Sequence, residues 1–425
     1  MTLTIAHTVE LGGSGGSRTD FTSRVLGFTV QQEARPQRIN RNRAIITLDN
    51  SDGALTPNAG GTYDSVDWFS QGVFITSFVN AGGDQTLFHG IIDDFQLADN
   101  GTQSTVQIVA LDWVAVLGRL SPKDLRVAYP AGPGEAVAET IVVKLTGTDD
   151  MLKLGAGGTV TYNNLYATDN TEVPVYLTTS TDQFITDVIQ NDLMAADLSV
   201  IYGRNIEYLA SIPSSTIYNA VIIGNTLTRS AAAIYDTLNV FEFTGATPTA
   251  GQLPIADVIT GYNIDELVNT VISTRDGGTA QKAQNTDSTG LYGARTMTVT
   301  GHAATTDTAA LNGATNMVNR LSTTRFIAQR IELNSANLAK TPAGSATQLE
   351  LLMDTETALW QPCTITYTPT GAASTITDKC LIYGRQIRVT AAGTSIVLDL
   401  LSADDYQSLV LDSAVLGILD ENRLG

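Results

Sequence analysis

The sequence is poor in the residues that build most catalytic and metal centres. Its 425 residues include 2 cysteines, 3 histidines and 3 tryptophans. Two thiols cannot make a disulfide framework or a four-thiolate zinc site. His7, His89 and His302 lie far apart and share no metal-ligand spacing with each other or with a cysteine. Charged residues make up 16% of the chain, too few for a coiled coil or a helical bundle rich in Glu and Lys. Basic residues are scarcer still, with 24 Lys and Arg against 43 Asp and Glu and a formal net charge of −19. No basic stripe is present to neutralise phosphates, so specific nucleic-acid binding is not expected. No run approaches the roughly 20 apolar residues of a membrane span. Met1 to Leu11, with His7 and Glu10, lacks the basic-then-apolar order of a secretory signal.

What the chain does have is strand and turn chemistry. Hydrophobic residues are 43% of it, enough to bury real cores, and 37 glycines join an excess of Thr, Val, Ile and Asn. The length calls for two or three domains. Residues 1–128 read as β: Ser23–Val30, Ala44–Leu48, Gly72–Val79 and Leu87–Leu97 are short apolar runs set between turn signals. Asn100-Gly101, between Leu97 and Val106, predicts a hairpin. Residues 129–250 read as a mixed α/β insert, with helices over Glu135–Leu145 and after Ser180, where Ser180 and Gln183 form a capping box. Strand-like Leu198–Ile201 and Ala220–Ile223 follow. Residues 251–425 return to β, with strands at Val268–Ser273, Thr296–Thr300, Phe326–Leu333, Cys363–Tyr367, Lys379–Thr390 and Ser395–Leu400. A helix near 304–322 carries the stripe Leu311, Ala314, Val318, Leu321, with Gly313 in its interior. The expected class is mainly β (α+β).

No catalytic centre emerges from the motifs. Gly12-Gly13-Ser14-Gly15-Gly16 matches the spacing of a nucleophile elbow but lacks the buried strand before it and the helix after it. Asp49-Asn50-Ser51-Asp52-Gly53 resembles a calcium loop superficially. Its glycine comes one position early and no closing Glu follows, so a turn in which Asp and Asn bond their own backbone is the better reading. Asp93-Asp94, Asp149-Asp150 and Asp404-Asp405 are adjacent pairs whose members point to opposite faces of a strand, unlike a glycosidase pair. No phosphate-binding glycine loop occurs, and no cofactor or metal is expected. A turn centred on Gly371-Ala372 places Cys363 and Cys380 opposite each other, either as a bridge or as two thiols in a reduced compartment.

Four segments in order carry a resemblance. They are the strand and turn Arg43 to Pro57, including Asp49, Asn50, Asp52 and Gly53, and the strand pair Phe88–Asp94 with Val106–Val116. The third runs from Val268-Asn269 to Asp287-Ser288 and Tyr292-Gly293-Ala294-Arg295; the last is Leu411-Asp412 with Leu416 to Asn422, including Leu419 and Asp420. Together they resemble the minor tail, or tail-tip hub, proteins of long-tailed bacteriophages. That family is similar in turn to the baseplate hub of contractile-tailed phages. The likeness covers most of the chain outside about 130–250.

It implies two tail-tube-like β-barrel or sandwich domains with an α/β insert between them. It also implies a homotrimer that adapts a sixfold tail tube to a threefold tip around a channel for tape measure protein and DNA. The implied neighbours are the distal tail protein, the tape measure protein and other tail-tip proteins. The implied location is the virion tail tip, assembled in the bacterial host cytoplasm, without direct membrane insertion. Asn269, Asp287, Ser288, Tyr292, Gly293 and Arg295 are its candidate structural residues, and no catalytic residue comes with it. An acidic channel lining would let DNA pass without sticking. The alternatives are a glycan-binding tail adhesin using Trp68-Phe69 or Trp360, and a wall-degrading hydrolase for which no carboxylate pair stands out.

Overall fold

The structure is a computed structural model that describes residues 4–12, 18–33, 42–79, 83–112, 241–262, 267–275, 277–302, 306–324, 326–354, 358–359 and 362–402. It also describes short strands at 128–130, 159–160, 176–178, 199–207 and 217–225. The two helices expected at 135–145 and after Ser180 lie outside the described residues, as do Leu419 and Asp420.

The first part is an antiparallel β unit. Its strands are β1 (Ile5–Gly12), β2 (Thr19–Asp20), β3 (Val25–Glu33), β4 (Arg43–Asp49), β5 (Gly72–Val79), β6 (Gln85–Asp99) and β7 (Ser104–Leu111), in the spatial order β3-β4-β7-β6-β5-β1-β2. The alternation that predicts them is visible in their burial: Ala44, Ile46 and Leu48 of β4 and Val106, Ile108 and Ala110 of β7 point inward and are wholly buried. Asn100-Gly101 does turn the β6–β7 hairpin, with Asp99 paired to Ser104.

Between residues 113 and 240 the described elements are five strands. β8 (Ala128–Pro130) pairs with β10 (Tyr176–Thr178). β11 (Ser199–Glu207) and β12 (Ile217–Asn225) form an antiparallel pair that β9 (Thr159–Val160) joins in parallel. Both long strands extend the runs expected at 198–201 and 220–223.

The C-terminal part holds two bodies of structure. β13 (Phe241–Thr244), β14 (Gln252–Pro254) and β15 (Asp257–Tyr262) precede a small α/β unit. That unit comprises β16 (Thr270–Arg275), β17 (Gln281–Gln284), α1 (Thr286–Tyr292), β18 (Thr296–His302) and α2 (Asp307–Leu321), with the sheet order β17-β16-β18. Its own core is Val271, Ala283, Val299, Ala314, Met317 and Val318. The helical stripe expected near 304–322 is therefore α2, and it packs on β16 and β17.

The chain then returns through β19 (Phe326–Asn334), α3 (Ser335–Leu338), α4 (Ala346–Met353), β20 (Pro362–Tyr367), β21 (Ile376–Thr390) and β22 (Gly393–Ser402). β13, early in this part of the chain, runs parallel to β20. β21 is the organising strand. One edge of its N-terminal half pairs with β20, and its C-terminal half pairs with β3 of the first unit. The other edge pairs with β22, which continues to β19 and β15. A bulge between Ile382 and Gly384 falls where β21 exchanges partners. One apolar core consequently runs from Val9 to Leu400 beneath both units.

Candidate functional site

The β3–β21 pairing makes a single sheet that crosses from one β unit to the other, and paired residues on neighbouring strands share a face. One inward row runs Ala110, Ala44, Val30, Ile387, Ile396, Leu333, all buried, through β7, β4, β3, β21, β22 and β19. The adjacent outward row runs Leu111, Arg43, Gln31, Gln386, Val397, Glu332 and Asp257. A second outward row is Val109, Ile45, Thr29, Arg388, Ser395 and Asn334.

This outward face carries both charges and mixes polar with half-buried apolar residues; Glu33, Asp49 and Asp94 share its parity. Arg43 Nε donates to Gln31 Oε1 at 3.2 Å, Ser395 Oγ to Glu332 Oε1 at 2.9 Å, and Arg330 Nε to Asp399 Oδ1 at 2.7 Å. Arg43, Arg388 and Arg330 stand against Glu332, Asp399 and Asp257.

Beneath it lies a polar pair in an otherwise apolar layer. Arg385 and Gln32 are cross-strand partners on β21 and β3, exposed by only 1% and 3%. The Arg385 guanidinium donates to Gln32 Oε1, to the Leu352 carbonyl and, at 3.0 Å, to the Asp354 carbonyl at the end of α4. Burial pushes its pKa down to about 10, and the Asp354 charge opposes that shift. Arg385 was not singled out from the sequence, where Tyr383-Gly384-Arg385 is one of several similar triplets. The spacing that marks it is the alternation itself: it falls on the inward parity of Ile387, where an arginine is out of place.

The structure separates the sequence-predicted residues into two pins. Asn50 is fully buried; its Nδ2 donates to Thr56 Oγ1 and Ser104 Oγ at 3.0 Å each, and its Oδ1 accepts from the Leu55 amide at 2.8 Å. Asp49 accepts from the Ser51 amide and Asp52 from that of Ala54, while Gly53 closes back on the Asn50 carbonyl. Arg24 forks onto Asp52 at 2.9 and 2.6 Å and holds its carboxyl down at about pKa 2. The loop is the backbone-bonding turn expected from sequence.

The second pin is in the small α/β unit. Asn269, also fully buried, donates from Nδ2 to the Gly293 carbonyl at 2.8 Å and to Ser288 Oγ at 3.3 Å, and accepts from the Arg295 amide at 2.8 Å. It thus brings together four of the six residues proposed in that segment. Gly293, at φ +73°, ends α1 in a left-handed conformation that a side chain would strain. Tyr292 reaches Thr324 Oγ1 at 2.9 Å, and Asp287 lies in the first turn of α1, where a negative charge is favoured.

Other candidates fare differently. Trp68 is buried among Phe21, Tyr63 and Phe95, so its ring is no platform for a sugar, while Phe69 is 61% exposed. Trp360 lies outside the described residues. Cys363 and Cys380 do face each other across β20 and β21; both are buried thiols outside any disulfide, and burial raises the Cys363 pKa well above its ordinary value. Among the described residues, no cluster of His, Cys, Asp and Glu has metal-holding geometry. No helix among them is long and apolar enough to cross a membrane.

Neither protein-family models nor curated proteins give a match to the sequence. Solved structures do. The 43 kDa tail protein of prophage MuSo2 from Shewanella oneidensis superposes at a TM-score of 0.54 with 11% identity, over 94% of this chain and 99% of that one. A tail protein from Neisseria meningitidis superposes at 0.53, again at 11% identity, over 95% and 99%. The fold is that of phage tail proteins. Nearly all of each neighbour is matched, so the likeness extends to the joined arrangement of both β units and is not confined to one of them.

Proposed function

We propose that the chain is a non-enzymatic structural component of a phage tail tip, a hub whose three copies form a ring that adapts a sixfold tube to a threefold tip. The observation that carries this reading is the β3–β21 joint, which makes two β units of one chain into a continuous sheet. Three such chains supply six units around an axis. The outward face is the surface we assign to the channel, where tape measure protein and DNA pass. Two of its arginines are already engaged, Arg43 by Gln31 and Arg330 by Asp399, and Glu33, Glu332 and Asp257 add negative charge, so a polyanion finds little to hold. On this reading the neighbours are the distal tail protein, the tape measure protein and other tip proteins, and the protein belongs to the virion, assembled in the host cytoplasm.

Mass measurement in solution tests the assembly. A ring gives three times the 45.0 kDa chain mass at micromolar concentration. A monomer with measurable binding to cell-wall sugars overturns it in favour of an adhesin. Imaging of phage particles with this chain labelled then checks the location, expected at the tail tip.

A further inference from the structure

We propose that Arg385 is a latch that fixes the two β units to each other, so that they move as one body and do not hinge at the seam. The β3–β21 seam alone is a poor joint. Its residues, 27–33 and 384–390, lie at opposite ends of the chain, and a single strand pairing can twist or peel. Arg385 ties that pairing to a third element. One nitrogen of the guanidinium donates across the seam to Gln32 Oε1, and the other reaches the Leu352 and Asp354 carbonyls at the end of α4. α4 in turn buries Leu349, Leu352 and Met353 in the core common to both units.

The argument rests on what opening would cost. A buried guanidinium is tolerated when most of its donors are matched; here both terminal nitrogens are bonded while Nε has no partner among the described residues, and baring the group further in an apolar layer carries a heavy desolvation penalty. Its partners come from two elements other than its own strand: β3 supplies an amide oxygen, and the end of α4 supplies two carbonyls that point outward along the helix axis. Any rotation of one unit against the other removes at least one of them. Arginine suits the position because its planar fork bonds in two directions at once, which a lysine ammonium on a flexible stem does not. The neighbouring bulge between Ile382 and Gly384 re-sets the register of β21, so that Arg385 keeps the inward parity of Ile387. This inference does not depend on the ring reading; a monomer would hold the same latch.

Hydrogen exchange on the full-length chain tests it, read separately at the seam (27–33 and 384–390) and at β5 and the start of β6. In Arg385→Met, seam protection is expected to fall roughly 10- to 100-fold, the factor set by losing hydrogen bonds to a charged group, while β5 protection stays within about twofold. Arg385→Lys falls between wild type and Arg385→Met. Because Arg385→Met leaves Gln32 buried without its donor, Gln32→Met is the second variant, and it is expected to loosen the seam alone. The double variant is expected to lose no more than Arg385→Met does. Equal loss of protection in β5 and at the seam would make Arg385 an ordinary core stabiliser and overturn the latch. Unchanged seam exchange in Gln32→Met overturns it too, as does a double variant whose losses simply add.

Discussion

His7 is a residue whose chemistry the fold alters strongly. It lies on β1 with Nδ1 2.8 Å from Ser77 Oγ and its ring edge-on to Phe28, and burial pushes its pKa from 6.5 down to about 4. The unfolded chain takes up a proton between those two values that the folded chain refuses. Stability from this group is therefore complete above pH 6.5 and lost as the pH falls towards 4. The loss is on the order of 3 kcal/mol across that window. His7→Leu is expected to flatten the fall in melting temperature between pH 6.5 and 4.5, at a cost of about 1 kcal/mol at pH 7 from the orphaned Ser77 hydroxyl. Equal slopes for the two proteins would show that the imidazole does not titrate on unfolding. Asp52, held low by Arg24, adds its own loss only at more acid pH, from its ordinary 3.8 down to about 2. Asn269 gives a sharper test of the small unit. Removing its side chain strands the Gly293 carbonyl and the Arg295 amide, so Asn269→Ala should cost roughly 2 to 4 kcal/mol in a denaturant titration. Asp287→Ala, which removes a first-turn charge, should cost under about 1 kcal/mol.

Among the elements, the strands were legible because alternation is a local signal. Gly72–Val79 is bounded in the structure as the residues suggest, and the stripe on α2 appears at the expected period. α1 and α4 were not anticipated, although each had a cue. Asn285 accepts from the Ser288 amide as the cap of α1, and Leu349, Leu352 and Met353 have helical spacing after Pro342. Both helices are at most 8 residues long, too short for periodicity to stand out against Thr-rich surroundings. The seam was illegible for a different reason. Pairing Gln31 with Gln386 depends on register between distant segments, and no local pattern records it. One residue does carry a trace. Gly27 faces Thr390, and a methyl group there would come within 2.8 Å of the Val389 carbonyl oxygen. Gly27→Ala is therefore expected to cost about 1 to 3 kcal/mol, with loss of exchange protection concentrated in β3 and β21. A neutral substitution would mean that the strands separate at that end.

At the scale of the whole molecule, the sheet's open end sets the question of assembly. Among the described residues β15 has β19 as its strand neighbour, and its outer edge has no ladder partner there. Proteins usually guard such an edge with charge or proline. Here Asp257 is the edge's one charge; Ile259 and Tyr262 are 50% and 63% exposed, and Tyr262 packs edge-on against Phe326, itself 48% exposed. An apolar, strand-shaped edge is what side-to-side pairing of chains in a ring requires, and in an isolated chain it invites aggregation. Ile259→Lys and Tyr262→Lys separate these cases. Neither side chain is part of the buried core, so each variant should unfold within about 0.5 kcal/mol of the parent. If the edge joins neighbours, the parent should sediment as an assembly at micromolar concentration and both variants as single chains. Should they stay fully assembled while still folded, the contact between copies does not use this edge.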